Sequence, residues 1–249
     1  LQELVNEYYK SSDYSMLAVK TKVDYTNCLE SVLKTKVGRH FICTTKVNKL
    51  SGAMARQSYE VWLNRGIYMA NHMVATSRKV YSFAMEMGYA EYNPFSTFKC
   101  KVTKPRKVVW TREQITQMLD YCYSEFKYRS LGLIIQMAYE WCQRVGDMRL
   151  LKFENIDYDK GILNLEQSKR GASVTLPISE DLLEMLREQK HDYDFQEYVA
   201  PYPSTLRGSY KPYSLHRLSI VARRVIKLCV LPTELRIADL RRTGTTEMV

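Results

Sequence analysis

The stretch CQRVGDMRLLKFENID, Cys142 to Asp157, decides how the rest of the chain is read. It follows an apolar run, LGLIIQMAYEW from Leu131 to Trp141, whose residues suit a buried helix. Arg144 stands at the end of that helix, Asp147 comes three residues later, and Leu150 and Leu151 close the turn. The spacing places Arg144 and Asp147 on one helical face. A cation held there by a carboxylate is costly to bury. Most such pairs in proteins are structural, so this one gains functional meaning only from what surrounds it.

A chain of 249 residues has material for one large or two ordinary domains. Its 26% charged and 45% hydrophobic content reads as globular. No apolar run reaches the length of a membrane span, and the N-terminus lacks a signal-peptide pattern. The six cysteines are scattered, with no CxxC and no nearby histidine pair. That favours reduced thiols in a cytoplasmic setting over zinc or a disulfide framework. The net charge of +10 is unevenly placed: residues 1–108 hold 17 Lys and Arg against 8 Asp and Glu, the remainder 20 against 19. A basic first part beside a balanced second part suggests one module that grips a polyanion and another with a different task. A basic protein without a nucleic-acid partner is the plainer alternative.

Apolar residues recur at helical spacing in Leu1–Tyr9, Met16–Leu33, Leu50–Leu63 and Ile67–Met87, with Gly38, Gly66 and Gly88 at the breaks. Gly88 can take a left-handed cap, and Asn93-Pro94 stops any continuation. Lys20 and Lys22 open the second helix; Arg78 and Lys79 lie on the last. Basic side chains so placed can neutralise phosphates, although a charged helix face is usually just solvated. STFKCKVTKPRKVV (96–109) has no amphipathic period and carries Lys101, Lys104, Arg106 and Lys107, so it reads as an extended basic linker able to lie along a duplex. The expected division is a helical DNA-binding domain over 1–95, the linker over 96–109, and a second domain over 110–249.

The second domain opens with a capping box from Thr111 to Gln114. After the Arg144 segment the period changes to two. ILNLEQ (162–167) and SVTLPI (173–178) alternate like strands, and SKRGA turns between them at Gly171, placing Lys169 and Arg170 at the tip of a hairpin. Ser179 suits the cap of the next helix, with Glu180 and Asp181 in its first turn. Residues 191–212 are polar and rich in Tyr and Pro, a surface segment. SLHRLSIVARRVIKLCV is then an amphipathic helix, and LPTELRIADLRRTGTTEMV closes the chain. There is no glycine-rich phosphate loop, no carboxylate cluster suited to a divalent metal and no serine or cysteine nucleophile motif.

Arg144, Lys169 and Arg241 of ADLRRT, in that order, resemble the catalytic domain of the tyrosine recombinase (phage integrase) family. The family's first arginine box looks like TG-x-R-x-x-E-L; here Cys142-Gln143 take the place of the Thr-Gly pair and Asp147 that of the glutamate. Its hairpin lysine is matched by Lys169. Its second box, H-x-L-R-H/R-T, is matched by Ala238, Asp239, Leu240, Arg241, Arg242 and Thr243. The helical first part, ending in AMEMGYAEYNPF, is similar to the family's core-binding domain. The fold that the resemblance implies is mainly α with a small β-sheet: a helical core-binding domain plus an α+β catalytic domain.

The same resemblance implies site-specific recombination through a 3′-phosphotyrosyl link, with no cofactor and no metal. Arg144 and Arg241 would hold the non-bridging oxygens of the phosphate, since planar guanidinium forks bind them bidentately and more strongly as charge develops. Lys169 would give the leaving 5′ oxygen its proton, with Asp147 and Arg242 in support. Two departures stand out. Ala238 occupies the histidine position and has no proton to exchange. The family's nucleophilic tyrosine falls some tens of residues past the second box, where this sequence offers none. The sequence is therefore expected to be a fragment that binds duplex DNA without cutting it, monomeric alone and part of a homotetramer on DNA when full-length. A type IB topoisomerase-like enzyme shares the Arg-Lys-Arg logic but lacks its own flanking features here. A non-catalytic DNA-binding protein that kept the fold, and a helical protein whose basic patch binds an acidic partner, are the readings from other classes.

Overall fold

The computed structural model describes residues 1–167, 171–203 and 210–247, and the chain divides into two compact units, Leu1–Pro105 and Arg106–Val249. It is mainly helical with small antiparallel sheets.

The first unit is built from α1 (Gln2–Lys10), the short α2 (Ser12–Ser15), α3 (Val19–Leu33), α4 (Gly52–Leu63) and α5 (Ile67–Glu86), with a small ladder of β1 (Lys36–Val37) and β2 (His40–Phe41) after α3. α3 starts at Val19, leaving Met16 of the expected helix 86% exposed outside it. The helices meet on an aromatic core. Tyr8, Tyr59, Trp62, Tyr81 and Phe95 are all sealed from solvent, and the Trp62 and Phe95 rings stack with centroids 6.3 Å apart. One polar tie runs through it: the Trp62 indole N–H donates to Thr35 Oγ1 at 2.7 Å. Gly88 adopts φ +74°, and its N–H caps Met85 O, so the helix ends where its glycine permits.

The second unit is organised around α7 (Phe126–Glu140), preceded by α6 (Arg112–Ser124). Every residue of α7 from Ser130 to Ala138 is buried, so this helix has no solvated face along that length. Against it pack α6, the short α8 (Val145–Met148), α9 (Glu180–Tyr193), α10 (Leu215–Leu228) and α11 (Leu240–Glu247). A three-stranded sheet in the order β3 (Ile156–Asp157), β4 (Ile162–Glu166), β5 (Ser173–Pro177) lies beside them. Leu163 pairs with Leu176 and Leu165 with Val174, and the buried Leu163 and Leu165 alternate with exposed Asn164 and Glu166.

Thr111 forms the capping box read from the sequence. Other details differ from expectation. The apolar helix stops at Glu140, Cys142 turns to φ +50°, and Arg144 becomes the N-cap of α8 rather than the end of α7. Ser179 is the N-cap residue of α9, yet its hydroxyl accepts from no backbone N–H of the helix and donates to Glu140 Oε2 at 2.7 Å. Residues 191–212 are less superficial than their composition suggests. Tyr193, Val199 and Ala200 are buried, and β6 (Pro201–Tyr202) pairs with β7 (Lys211–Pro212). The basic segment is no free tether either: Lys101 N–H donates to Tyr59 OH and Asn71 Nδ2 to Lys101 O within the first unit, while Arg106 belongs to the second.

Thr35→Val keeps the shape but strands the Trp62 indole N–H, and should cost about 1–3 kcal/mol in denaturant unfolding. A loss too small to measure would mean that this tie does not hold the first unit's core.

Candidate functional site

Three segments of the second unit converge at the end of α7. The first is the turn from Trp141 to Arg144. With one residue between the glycine and the arginine of the family pattern, the Thr-Gly pair falls on Trp141-Cys142 and not on Cys142-Gln143. The φ of +50° at Cys142 is the backbone that a glycine adopts without strain. Arg144, about one third exposed, has Nη1 3.9 Å from Asp147 Oδ2, and Asp147 itself is buried. That separation is an ion pair too long for a hydrogen bond. Arg144 Nη1 is buried, and among the described residues it donates to no acceptor.

The second segment is the turn end of the β4–β5 hairpin. Gln167 Nε2 donates to Gln143 Oε1 at 2.8 Å, and Gln143 Nε2 donates to Trp141 O at 2.9 Å. Gly171, at φ +63°, closes the turn by donating its N–H to Gln167 O at 2.8 Å. The far strand is tied to the same helix end: the Trp141 indole donates to Pro177 O at 3.0 Å. Lys169, the expected proton donor, lies outside the described residues.

The third segment is α11 with the turn before it. A Cβ on Gly244 would fall 2.3 Å from Tyr139 O and 2.9 Å from Cys142 Sγ, so only glycine lets α11 rest against the end of α7. Arg241 sits one turn earlier on α11, half-buried, and among the described residues its guanidinium has no hydrogen bond or ion pair. Exposed Ala238 and Val145, the residue after Arg144, line one cleft of about 270 Å³. Its floor is apolar, from Leu218, Ala222 and Ile226 of α10. No side chain at Ala238 reaches into this space. The phenol of Tyr139, which donates to Glu247 Oε2, is pushed up to about 12 by burial and then by that carboxylate.

Asp239 and Arg242 hold this third segment to the entry of the unit. Arg106 Nε and Nη2 donate to the buried carboxylate of Asp239 at 2.8–3.0 Å, and Nη2 also reaches Glu234 O. Arg242 Nη1 donates back to Arg106 O and Val108 O. Trp110 completes the knot, its backbone N–H donating to Thr243 Oγ1 and its indole to Arg236 O. Arg242, expected beside the reacting groups, is spent on these carbonyls.

The expected DNA-binding cations separate into two groups. Arg78 donates to Phe95 O and Phe98 O, Lys79 pairs with Asp13 at 2.6 Å, and Arg106 is bound as above. Each of these three already satisfies a carbonyl or carboxylate of its own unit. Lys20, Lys101, Lys104 and Lys107 are exposed and Lys22 half-exposed, with no ion pair among the described residues. Among those residues, too, no group of three or more His, Cys, Asp or Glu could hold a metal, and no helix is long and apolar enough to cross a membrane. Sequence reasoning passed over Gln167 and Gly244, and it named Gln143 and Asp239 as positions in the two boxes without giving them a role. Only Asp239 carried a signal, a carboxylate set among apolar neighbours in RIADL.

The family model described as phage integrase family matches residues 109–249. Among solved structures, the chain resembles lambda integrase (75–356) as a dimer bound to a COC′ core site, at 20% identity and TM-score 0.80, covering 99% of this chain and 88% of that one. It also resembles a lambda integrase tetramer bound to a Holliday junction, at 20% identity and TM-score 0.78, covering 98% and 71%. The Tn1549 transposon integrase (aa 82–397) in complex with circular intermediate DNA matches at 13% identity and TM-score 0.76, covering 99% and 86%. At these identities the likeness shows the fold. No curated protein sequence matches the chain.

Replacing Gly244 with alanine should push α11 off the carbonyl of Tyr139 and destabilise the second unit by about 1–3 kcal/mol. Gly52→Ala, where an added Cβ meets nothing within 4 Å, is the control. Equal melting temperatures for the two variants would contradict the close approach.

Proposed function

The chain belongs to the phage integrase family, and from that premise we propose that it is a site-specific DNA recombinase, which breaks and rejoins duplex DNA in integrating or excising a mobile element. The observation that carries this reading is the convergence at the end of α7. The turn with Arg144, the turn end of the β4–β5 hairpin, and the helix with Arg241 meet there, and the buried Arg144 Nη1 donates to no acceptor among the described residues. A phosphodiester supplies the missing acceptor.

In the reaction, a tyrosine oxygen attacks phosphorus and the P–O5′ bond breaks. Lys169 passes its proton to the departing 5′ oxygen, and the strand is held as a 3′-phosphotyrosyl ester, whose energy the 5′ hydroxyl recovers in the reverse step. Arg144 and Arg241 stabilise the charge gathering on the non-bridging oxygens. All tyrosines in residues 1–249 precede Arg241. Lys20, Lys22, Lys101, Lys104 and Lys107 meet the backbone, with residues 1–95 as the core-binding module. The recombinase acts as a homotetramer on DNA. One observation favours a second reading, a DNA-binding protein that kept the fold without the chemistry: Ala238 puts no imidazole at the cleft beside Arg144.

Two measurements separate these readings. DNA affinity should fall steeply with salt, with a slope close to the number of phosphates neutralised; a flat dependence would remove duplex DNA as the partner. In protein carrying its tyrosine, Arg241→Ala should cut covalent trapping of a nicked substrate by about a hundredfold or more while duplex affinity stays nearly constant. Wild-type protein that never traps DNA supports the binding-only reading, and parallel loss of both properties in the variant would make Arg241 structural.

A further inference from the structure

We infer that Gln143 is a positioning residue, which fixes the turn end of the β4–β5 hairpin against the turn that carries Arg144. This rests on the recombinase reading above. Gln143 is 6% exposed, and both ends of its amide are engaged. Its Nε2 donates to Trp141 O at 2.9 Å, inside its own turn, and its Oε1 accepts from Gln167 Nε2 at 2.8 Å, across to the hairpin. A buried amide that lacked either partner would pay the desolvation cost of the group left over, so the arrangement has one favoured register.

The location gives the tie its meaning. Gln143 is the residue before Arg144, and Gln167 is the last residue of β4's extension before the hairpin tip. Gln167 is itself held to the turn's far side, donating its N–H to Ala172 O and accepting from Gly171 N–H. The other end of the hairpin has a separate anchor, the Trp141 indole on Pro177 O. β3 and the buried Leu163 and Leu165 hold the strands, and the Gln143–Gln167 bond adds a tie at the end that bears the tip. Displacing a reacting group by about 1 Å costs on the order of a hundredfold in rate. On the recombinase reading, this neutral hydrogen bond sets the tip end of the hairpin against the turn that carries Arg144.

The test asks whether the defect lies in proton donation. A substrate with sulfur in place of the scissile 5′ oxygen needs no general acid, because a thiol ionises near pH 8.5, many orders more readily than an alcohol. In recombinase carrying its tyrosine, Gln143→Met should slow covalent cleavage of the oxygen substrate roughly tenfold to a hundredfold. It should cleave the sulfur substrate at close to the wild-type rate, with DNA affinity unchanged. Gln167→Met removes the same bond from the less buried side and should behave alike, which keeps the test decisive if Gln143→Met fails to fold. Equal slowing on both substrates, or none on either, overturns the inference. Wild-type protein that cleaves neither substrate sinks the recombinase reading, and the inference with it.

Discussion

Helix α11 touches helix α7 backbone to backbone, Gly244 against the carbonyl of Tyr139, and the geometry of the whole site follows from that contact. Elsewhere in the unit, side chains separate the helices. Here none intervenes, so the second arginine box is brought to the end of the central helix with little freedom to shift. The contact falls where α7 ends and the chain turns through Cys142 toward Arg144. Two arginines almost a hundred residues apart are thus referred to one short piece of backbone. For a site that must offer donors to an anion before it arrives, such a reference point supplies rigidity that side-chain packing alone does not.

The elements were legible in the sequence wherever periodicity or capping was strong. The capping box at Thr111, the β4–β5 hairpin and the helices of the first unit are local patterns, written in residues a few positions apart. The order of Arg144, Lys169 and Arg241 was legible through the family resemblance. What could not be read was anything that depended on partners far away. The end of α7 looked continuous with Arg144 because nothing in CQRV marks the left-handed residue, whose strain is borne by contacts that the fold provides later. Ser179 had the local features of a cap and lost that role to Glu140, 39 residues earlier.

The cations show the same limit. Basic residues on helices look available for phosphates in a sequence, yet loop carbonyls that pack against those helices also need donors. Arg78 goes to the carbonyls of Phe95 and Phe98, and Arg242 to those of Arg106 and Val108. An arginine with five donors can serve several carbonyls at once, which a lysine cannot do in a fixed plane. The residues left exposed without ion pairs among the expected group are all lysines. A point charge on a flexible stem gains little from a carbonyl and more from a polyanion.

The two supports of the site differ in chemistry, and the difference has a physical consequence. The second arginine box is held by charge: Arg106 grips the buried Asp239, and the strength of that grip depends on keeping both groups ionised and paired. The turn end of the hairpin is held by neutral amides, Gln167 to Gln143 to Trp141, which carry no net charge beside Arg144. A carboxylate in Gln143's place would also accept from Gln167, but it would add a negative charge beside Arg144 and weaken the field the arginines create. A cation there would need a buried counter-ion of its own. An uncharged amide that both donates and accepts can tie the hairpin to the arginine turn without altering the electrostatics of the cradle it helps to shape.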